Sequence, residues 1–282
     1  MVAGTKPVDI LAKTLKYAVL LLTSFISLLP VVTCFFTALK TDAEYDLTSK
    51  IALPENWLNF ENFATVWNRG NLAQAFATSF LVVIVVIFLS VMMGSMIAYV
   101  LNRFKFVGNG LIRNLFLLAT LVPGIAMQVT VYKIMLGLSL VNTLHGYILL
   151  QAGTDVISIY IFLQYYENLS TSLDESAILD GCTYFGVYFK ILFPLLRPAV
   201  ITVMILKGVG VYNEYYMANL YLQDKARYVT VSTALYTFTG PFKSQFNLIC
   251  AGVILTMLPV LILFILCQKQ VYSGLASGAV KG

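Results

Sequence analysis

Six long apolar stretches constrain this chain more than any other feature of its sequence. Each is long enough to cross the hydrocarbon core of a bilayer, which is about 30 Å thick and takes about 20 helical residues. Only 11% of the 282 residues are charged, whereas a soluble domain averages about 25%. The sequence therefore predicts an all-α integral membrane protein with six spans, near residues 15–38, 74–101, 111–134, 144–166, 198–221 and 247–267.

The lysines and arginines between these spans predict the orientation of the chain. More of them lie before span one, between spans two and three, between spans four and five and at the C-terminus than on the opposite side. Because cytoplasmic segments carry an excess of Lys and Arg, we expect both termini in the cytoplasm. Residues 1–14 then form an amphipathic segment on the inner surface, and residues 15–282 form one transmembrane domain. That domain has an external loop at 39–73 and a cytoplasmic loop at 167–197.

Several classes of function have no support in the residues. The net charge of +5 is not gathered into a basic stripe, which argues against nucleic-acid binding. The chain has no G-x-x-x-x-G-K-[ST], H-E-x-x-H or G-x-S-x-G motif. A single histidine, His145, and four scattered cysteines do not form a metal-ligand pattern. We therefore expect no catalytic residue, metal or cofactor in this chain, and an energy source that comes from another chain.

A charged segment of small residues interrupts the apolar pattern between spans four and five. It reads ESAILDGCTYFGVYFKILFPLLRP from Glu175 to Pro198. Ser172 with Glu175 matches the S-x-x-E capping box that begins many helices, and the small Ala177 and Gly181 would let a partner backbone approach closely. We expect a short amphipathic helix whose exposed apolar face is typical of a protein docking site. The alternative is a helix that rests on lipid headgroups, which its acidic residues disfavour.

This segment resembles the EAA loop found in permease subunits of binding-protein-dependent ABC importers. The family pattern is E-A-A, three residues, G, nine residues, I, two residues and P. With serine for the second residue, the pattern is filled here by Glu175, Ser176, Ala177, Gly181, Ile191 and Pro194. The stretches LNRFKFVGN, LGLSLVNTLHGYIL and GLASGAVKG are similar to the carbohydrate branch, which includes the maltose permease, so the resemblance covers nearly the whole chain.

The resemblance implies a fold, a role and a set of partners. The fold would be the type I importer permease arrangement, working as a heterodimer with a homologous second permease in a bacterial cell membrane. Two copies of a cytoplasmic ATPase would bind ATP and Mg²⁺, and an external solute-binding protein would deliver a sugar or oligosaccharide. The loop would be a coupling helix held in a groove of the ATPase. Its contact residues would be Glu175, Ser176, Ala177, Ile178, Leu179, Asp180 and Gly181.

Polar side chains inside the spans indicate where a solute could pass. An ionisable group at the bilayer centre costs about 2.5–3.5 kcal/mol, so each needs a reason. Lys207 and Glu214 are seven residues apart in span five and so share a helix face. Tyrosine rings can stack on sugar faces, and amides and carboxylates can bind hydroxyl groups. The predicted substrate pathway comprises Asp155, Tyr212, Asn213, Glu214 and Tyr216. Alternatively, Asp155 pairs structurally with Lys207, and the tyrosines anchor the membrane boundary.

Three other functions stay open from the residues alone. An importer of the same fold could carry an amino acid, a peptide or a polyol. An intramembrane enzyme could use Asp155 or Glu214 as a general acid or base, although that chemistry usually needs paired carboxylates, a Ser/His pair or converging metal ligands. A passive channel would need a selectivity filter, and no loop in the sequence reads as one.

Overall fold

The computed structural model describes residues 7–153, 155–240 and 243–279. Helices make up 78% of the described residues, and no strand occurs in these ranges. A π-helical stretch, Val187–Leu192, lies within the tenth helix. In chain order the helices are α1 Pro7–Leu39, α2 Asp42–Leu47, α3 Glu61–Arg69, α4 Leu72–Arg103, α5 Asn109–Leu121, α6 Gly124–Gly137, α7 Leu144–Gly153, α8 Val156–Glu167, α9 Ser172–Leu179, α10 Tyr184–Leu195, α11 Arg197–Asn213, α12 Tyr216–Tyr221, α13 Val231–Leu235 and α14 Phe246–Ala279.

The predicted all-α membrane fold is confirmed. Three helices are each long and apolar enough to cross a bilayer, namely α1 over Lys13–Leu39, α4 over its whole length and α14 over Phe246–Leu266. Three further pairs, α5 with α6, α7 with α8, and α10 with α11, meet the same length and composition only when taken together. Counting each pair as one span gives six spans.

Spans three and four are bent, which the sequence did not predict. The third bent pair joins α11, in predicted span five, to α10, which lies inside the predicted cytoplasmic loop at 167–197. The axes of α5 and α6 meet at 103°, those of α7 and α8 at 43°, and those of α10 and α11 at 74°. Pro123 directly precedes α6 and Pro198 lies in the first turn of α11, where the missing N–H and fixed φ of proline favour a new helix start. A helix of 13 residues such as α5 is only about 20 Å long, so it cannot cross the bilayer alone.

The chain divides into two compact units, one of residues 1–71 and 235–260 and one of residues 72–234 and 261–282. In the first unit, α1 runs without interruption from Pro7. The predicted surface segment 1–14 therefore continues into the first turns of that helix from Pro7 onward, and residues 1–6 lie outside the described ranges.

The predicted external loop at 39–73 is itself folded. The Thr41 hydroxyl accepts a hydrogen bond from Glu44 N at 3.2 Å, and the Glu44 carboxylate accepts one from Thr41 N at 3.4 Å. This capping box satisfies two N–H groups that a helix start would otherwise leave without a partner. Asn62 Nδ2 of α3 donates to the Ala38 carbonyl at 2.8 Å, so the loop is tied to the end of α1.

In the second unit, α4 is the central helix and packs against α7, α8 and α11. Small residues on α4 make this possible, because they let helix backbones approach closely in a membrane. A Cβ at Gly94 would lie 3.3 Å from both the Phe162 ring and the Ser158 Cβ of α8. Ser95 Oγ and Tyr188 Oη are 2.7 Å apart and form a buried hydrogen bond between α4 and α10.

Candidate functional site

The charged segment of small residues forms α9, and its end is a Schellman motif. Gly181 N donates to the Ile178 carbonyl and Cys182 N donates to the Ala177 carbonyl, both at 2.9 Å. Gly181 has a φ of +84°, the left-handed conformation that this motif requires and that glycine adopts without a Cβ penalty. The glycine of the motif therefore ends the helix at a defined residue and turns the chain toward α10.

The start of α9 differs from the predicted capping box. Ser172 is the first helical residue, and the N-cap is Thr171, whose side chain makes no capping hydrogen bond. Ser172 N instead donates to Ser170 Oγ at 3.2 Å. The predicted pairing of Ser172 with Glu175 is wrong because the helix begins one residue earlier than that box requires.

Most of the residues predicted to contact a partner lie on the surface of α9. Leu179 is 88% exposed and Ile178 is 42% exposed. The remaining exposed members of the predicted contact are Glu175, Ser176, Asp180 and Gly181. Ala177 is buried at 5% exposure and packs in the hydrophobic core of the second unit. It therefore seats the helix, while the others form the surface that a partner would meet.

The base of α9 is held by a buried ion pair that no pattern in the sequence indicated. Arg103 Nε at the end of α4 lies 3.1 Å from Asp174 Oδ2. Burial raises the pKa of the Asp174 carboxyl above its ordinary value, and this outweighs the lowering of that pKa by the Arg103 guanidinium. The two residues are 71 positions apart, so no local pattern in the sequence could have paired them.

A cavity of about 760 Å³ lies within the second unit, where side chains of α5, α6, α7, α8, α11 and α12 line it. Most of its wall is apolar. The polar side chains that line it are Thr120, Gln128, Gln151, Asp155, Ser158 and Lys207. Its volume lies within the range of about 300–1,000 Å³ that is usual for small-molecule sites, which combine an apolar wall with a few polar groups.

Asp155 performs two tasks in the wall of this cavity. Its Oδ2 lies 3.5 Å from Lys207 Nζ on α11. Its carboxylate also caps the N-terminus of α8, because Oδ1 accepts a hydrogen bond from Ser158 N at 3.3 Å and Oδ2 accepts one from Ser158 Oγ at 2.6 Å. The pairing of Asp155 with Lys207, the alternative interpretation of the sequence, is therefore present, and the pair also lines the cavity.

The other predicted pathway residues lie at a break in the helix rather than in the wall of the cavity. Glu214 and Tyr215 are non-helical between α11 and α12. Glu214 Oε1 accepts from Met217 N at 2.9 Å, so this carboxylate caps α12. The Tyr212 ring packs 6.2 Å from the Phe80 ring, centroid to centroid. Irregular backbone at membrane depth is tolerated only where protein buries it or it lines a water-filled cavity.

Exposure distinguishes the remaining two predicted pathway residues from Tyr212 and Glu214. Asn213 and Tyr216 are exposed, Tyr216 at 49%, whereas Tyr212 and Glu214 are half-buried. Asn213 Nδ2 donates to the Val209 carbonyl at 3.0 Å. Of the five predicted pathway residues, the structure brings only Asp155 to the cavity described above. Asp155 and Glu214 each cap a separate helix.

Known proteins similar to this chain are membrane subunits of transport systems. Residues 90–275 match the family described as the binding-protein-dependent transport system inner membrane component. A probable ABC transporter permease protein of Bacillus subtilis, YurM, is 33% identical over 82% of this chain and 76% of the relative. The arabinooligosaccharides transport system permease protein AraQ of Halalkalibacterium halodurans is 29% identical over 92% of this chain and 93% of the relative.

A further relative and a solved structure extend the likeness to almost the full length. The probable starch degradation products transport system permease protein AmyC of Thermoanaerobacterium thermosulfurigenes is 30% identical over 94% of this chain and 97% of the relative. A chain in the crystal structure of a bacterial ABC transporter involved in the import of the acidic polysaccharide alginate has a TM-score of 0.81. At 18% identity, with 94% of this chain and 98% of that chain covered, this match shows the fold alone.

The family match covers the end of α4, all of α5 to α13 and most of α14, and so includes the loop in which α9 lies. The chain belongs to the family of inner membrane components of binding-protein-dependent transport systems, the permease subunits of ABC importers.

Proposed function

We propose that the solute carried by this permease is a sugar or an oligosaccharide. The relatives named for a substrate include permeases for arabinooligosaccharides, for starch degradation products, for melibiose, raffinose and stachyose, for diacetylchitobiose and for sulfoquinovosyl glycerol. The cavity of about 760 Å³ supports this proposal, because its apolar wall with a few polar side chains suits a neutral molecule that presents both ring faces and hydroxyl groups. An amino acid, a peptide or a polyol carried on the same fold is the competing outcome.

The proposed partners follow from the type of transport system to which the family belongs. This chain would form half of the translocation pathway with a homologous second permease. Two copies of a separate cytoplasmic ATPase would bind ATP and Mg²⁺, and an external solute-binding protein would deliver the sugar. The chain itself is a transport subunit and not an enzyme. Both termini and the loop at 167–197 would face the cytoplasm of a bacterium, and the loop at 39–73 would face outward.

The exposed face of α9 is the observation that carries the proposed coupling role. Leu179 and Ile178 are large apolar side chains exposed near the end of this short helix, which also carries acidic and hydroxyl side chains, and apolar surface of this kind favours a protein partner. Glu175, Ser176, Asp180 and Gly181 surround them on the same short helix and its turn. We assign this face to the groove of the ATPase, with Ala177 holding the helix from below.

The proposed pathway combines the cavity wall with the break between α11 and α12. Asp155 with Lys207 would present a neutral ion pair to the sugar, and the pair would bind hydroxyl groups from both of its charges. Asn213 and Tyr216 are exposed at the break, outside the cavity wall. Their amide and ring would give the sugar a further contact surface there. Tyr212 and Glu214 would support that break, Tyr212 through its packing and Glu214 through its cap.

Co-purification from mild detergent tests the coupling role. We expect the tagged chain to bring with it an ATPase subunit and a second permease. Leu179→Glu should lose the ATPase, whereas Leu47→Glu should keep it, because Leu47 is equally exposed, at 87% against 88%, but lies on α2. If the chain purified alone under conditions that keep other importers intact, the proposed role of α9 would be wrong.

Uptake by the reconstituted complex tests the substrate class. Proteoliposomes that contain the complex and its binding protein should take up one of a set of labelled arabino-, malto- and raffinose-type oligosaccharides when ATP is present at the ATPase. Uptake of an amino acid or a peptide, with none of these sugars transported, would replace the sugar proposal while leaving the family assignment unchanged.

A further inference from the structure

One guanidinium joins three elements at the base of α9. Arg103 is the last residue of α4. Its Nη2 donates to the Leu169 carbonyl at 3.0 Å and its Nη1 donates to the Tyr166 carbonyl at 3.4 Å, both near the C-terminal end of α8. Its Nε lies 3.1 Å from Asp174 Oδ2 in the first turn of α9. The fixed fork of the arginine side chain therefore connects the ends of α4 and α8 to the start of α9.

The ion pair between these residues is buried, and its carboxylate has little other support. The Arg103 side chain is 8% exposed and that of Asp174 is 12% exposed. Neither Asp174 oxygen receives a well-aligned side-chain or backbone hydrogen bond in the described part of the chain. A buried pair of this kind is weak evidence for net stability, because apolar residues of similar volume often stabilise a fold as well. Its geometric effect, a fixed position for α9, is the stronger reason for its presence.

A second arginine at the same end of the unit provides a contrast. Arg113 Nη2 donates to the Leu101 carbonyl of α4 at 2.8 Å. Its Nη1 lies 3.6 Å from Glu167 Oε1, and the two side chains are 32% and 55% exposed. Arg113 thus links α5, α4 and α8 through an exposed pair, whereas Arg103 reaches α9 through a buried one.

We propose that Arg103 is a positioning residue for transport, which makes α9 and the ends of α4 and α8 move as one body. The proposal rests on the proposed role of α9 as the coupling helix. An ATPase that pulls on the exposed face of α9 would displace Asp174, and Arg103 would pass that displacement to α4. The helix α4 packs against α7, α8 and α11, and α7, α8 and α11 all line the cavity. Motion at α9 would therefore reach the pathway through α4.

The expected consequence of losing Arg103 is loss of transmission with the partners still bound. Ala177 would continue to seat α9 in the core, so the ATPase could still dock and hydrolyse ATP. Without the guanidinium, however, α9 could tilt against the end of α4. Movement of the ATPase would then change the position of α9 without moving α4 by the same amount.

Distance measurements within the assembled complex test this directly. Nitroxide labels at Val100 on α4, 44% exposed, and Ser172 on α9, exposed, are placed in a full-length chain without native cysteines. This chain is assembled with its ATPase and second permease. Pulsed electron resonance then gives the distance distribution without nucleotide and after trapping with MgATP and vanadate. The wild-type distribution should keep one narrow width in both states, because helices in a rigid unit shift together.

The variants separate positioning from stability. Arg103→Gln and Asp174→Asn should each at least double the width of the distribution in the trapped state, while ATP hydrolysis per complex stays within twofold of wild type. Arg113→Gln is the matched control and should keep the narrow width. The double variant Arg103→Met with Asp174→Leu should restore membrane yield, since apolar pairs can replace buried ion pairs, but should still give the broad distribution.

Two results would overturn the proposal, and they differ in what else they remove. If Arg103→Gln keeps the narrow width in the trapped state, Arg103 does not position α9, and the coupling role of α9 is unaffected. Should Arg103→Gln fail to assemble, the same result with the apolar double variant leads to the same conclusion. If the wild-type chain purifies without any ATPase, the coupling role fails and the positioning role fails with it.

Discussion

Gly181 ends α9 in a left-handed backbone conformation and also lies in the surface proposed to contact the ATPase. Its φ of +84° lies in the left-handed region, where a residue with a Cβ is strained by about 1–2 kcal/mol unless it is asparagine or aspartate. A Cβ there would have no atom within 4 Å, so the isolated chain has space for a side chain. Any effect of a larger residue at this position must therefore come from the backbone or from a partner.

Gly181→Asp and Gly181→Asn form a matched pair that separates charge from backbone strain. Both side chains tolerate the left-handed conformation and have nearly the same size. We expect Gly181→Asp to leave the chain in the membrane but to weaken association with the ATPase, because a second carboxylate beside Asp180 would be desolvated in the groove. Gly181→Asn should retain most of the ATPase in co-purification. An Asp variant with wild-type ATPase yield would contradict the coupling role.

Lys243 connects two carboxylates of α2 at the surface of the first unit. Its Nζ lies 2.7 Å from Asp42 Oδ2 and 2.6 Å from Asp46 Oδ2. Hydrogen bonds to Asp42 and then Asp46 raise the pKa of Lys243 to about 12. The folded-state pKa is above the unfolded value of about 10.4. The stabilisation is therefore fully present below about pH 10.4 and is lost as the pH rises through about 12.

Lys243→Gln should consequently weaken the protection of α2 from hydrogen exchange. The size of this effect should depend on salt concentration but not on pH near neutrality. We expect faster hydrogen exchange of the α2 amides in this variant, with a loss of protection that is constant between about pH 6 and pH 9. Because the three side chains are about half exposed, added salt should shrink the difference from wild type. A difference that changed across this pH range would show that another group titrates at the cluster.

At the scale of elements, the break between α11 and α12 depends on the cap that Glu214 supplies. Replacing a helix cap by alanine costs about 0.5–2 kcal/mol, which is too little to unfold a helical membrane protein. Glu214→Ala should therefore lower uptake more than it lowers assembly. Glu214→Gln is the control, since its amide oxygen can still accept from Met217 N. Normal uptake by the alanine variant, measured per assembled complex, would remove the break from the pathway.

The elements also show which parts of this structure could be predicted from the sequence. The apolar stretches predicted the spans, because hydropathy alone decides which segments enter lipid, and the segment that begins at Glu175 predicted a short amphipathic helix. That this helix ends at Gly181 was not predicted. The bends could not be predicted, since residues 111–134 are almost uniformly apolar and only packing decides that the chain turns at Pro123. Lys207 was paired with Asp155 as an alternative because both charges need a partner in lipid.

The buried pair of Arg103 and Asp174 marks the limit of local patterns. Arg103 contributed to the predicted orientation only as one positive charge among several. Its contacts with α8 and α9 exist because the chain returns to the end of α4 after two further spans and their loops. Charges that pair over such separations become visible only when the fold is known.

At the scale of the whole molecule, orientation determines which surface each partner can reach. The proposed coupling role requires α9 on the same side of the membrane as the ATPase, and the distribution of Lys and Arg predicts that side to be the cytoplasm. The same prediction places the loop at 39–73 outside, on the side from which the proposed binding protein would approach. If the chain had the reverse orientation, α9 could not meet a cytoplasmic ATPase and the loop at 39–73 could not meet an external binding protein.

Cysteine labelling in intact cells tests this orientation with two equally accessible positions. Val107 follows α4 and is fully exposed, and Leu47 at the end of α2 is 87% exposed. In a chain without native cysteines, Leu47→Cys should react with a membrane-impermeant maleimide in intact cells, whereas Val107→Cys should react only after permeabilisation. The two side chains are similarly accessible within the chain, so a difference in labelling reports the membrane barrier. Labelling of Val107→Cys alone in intact cells would place α9 outside, where no ATPase could drive it.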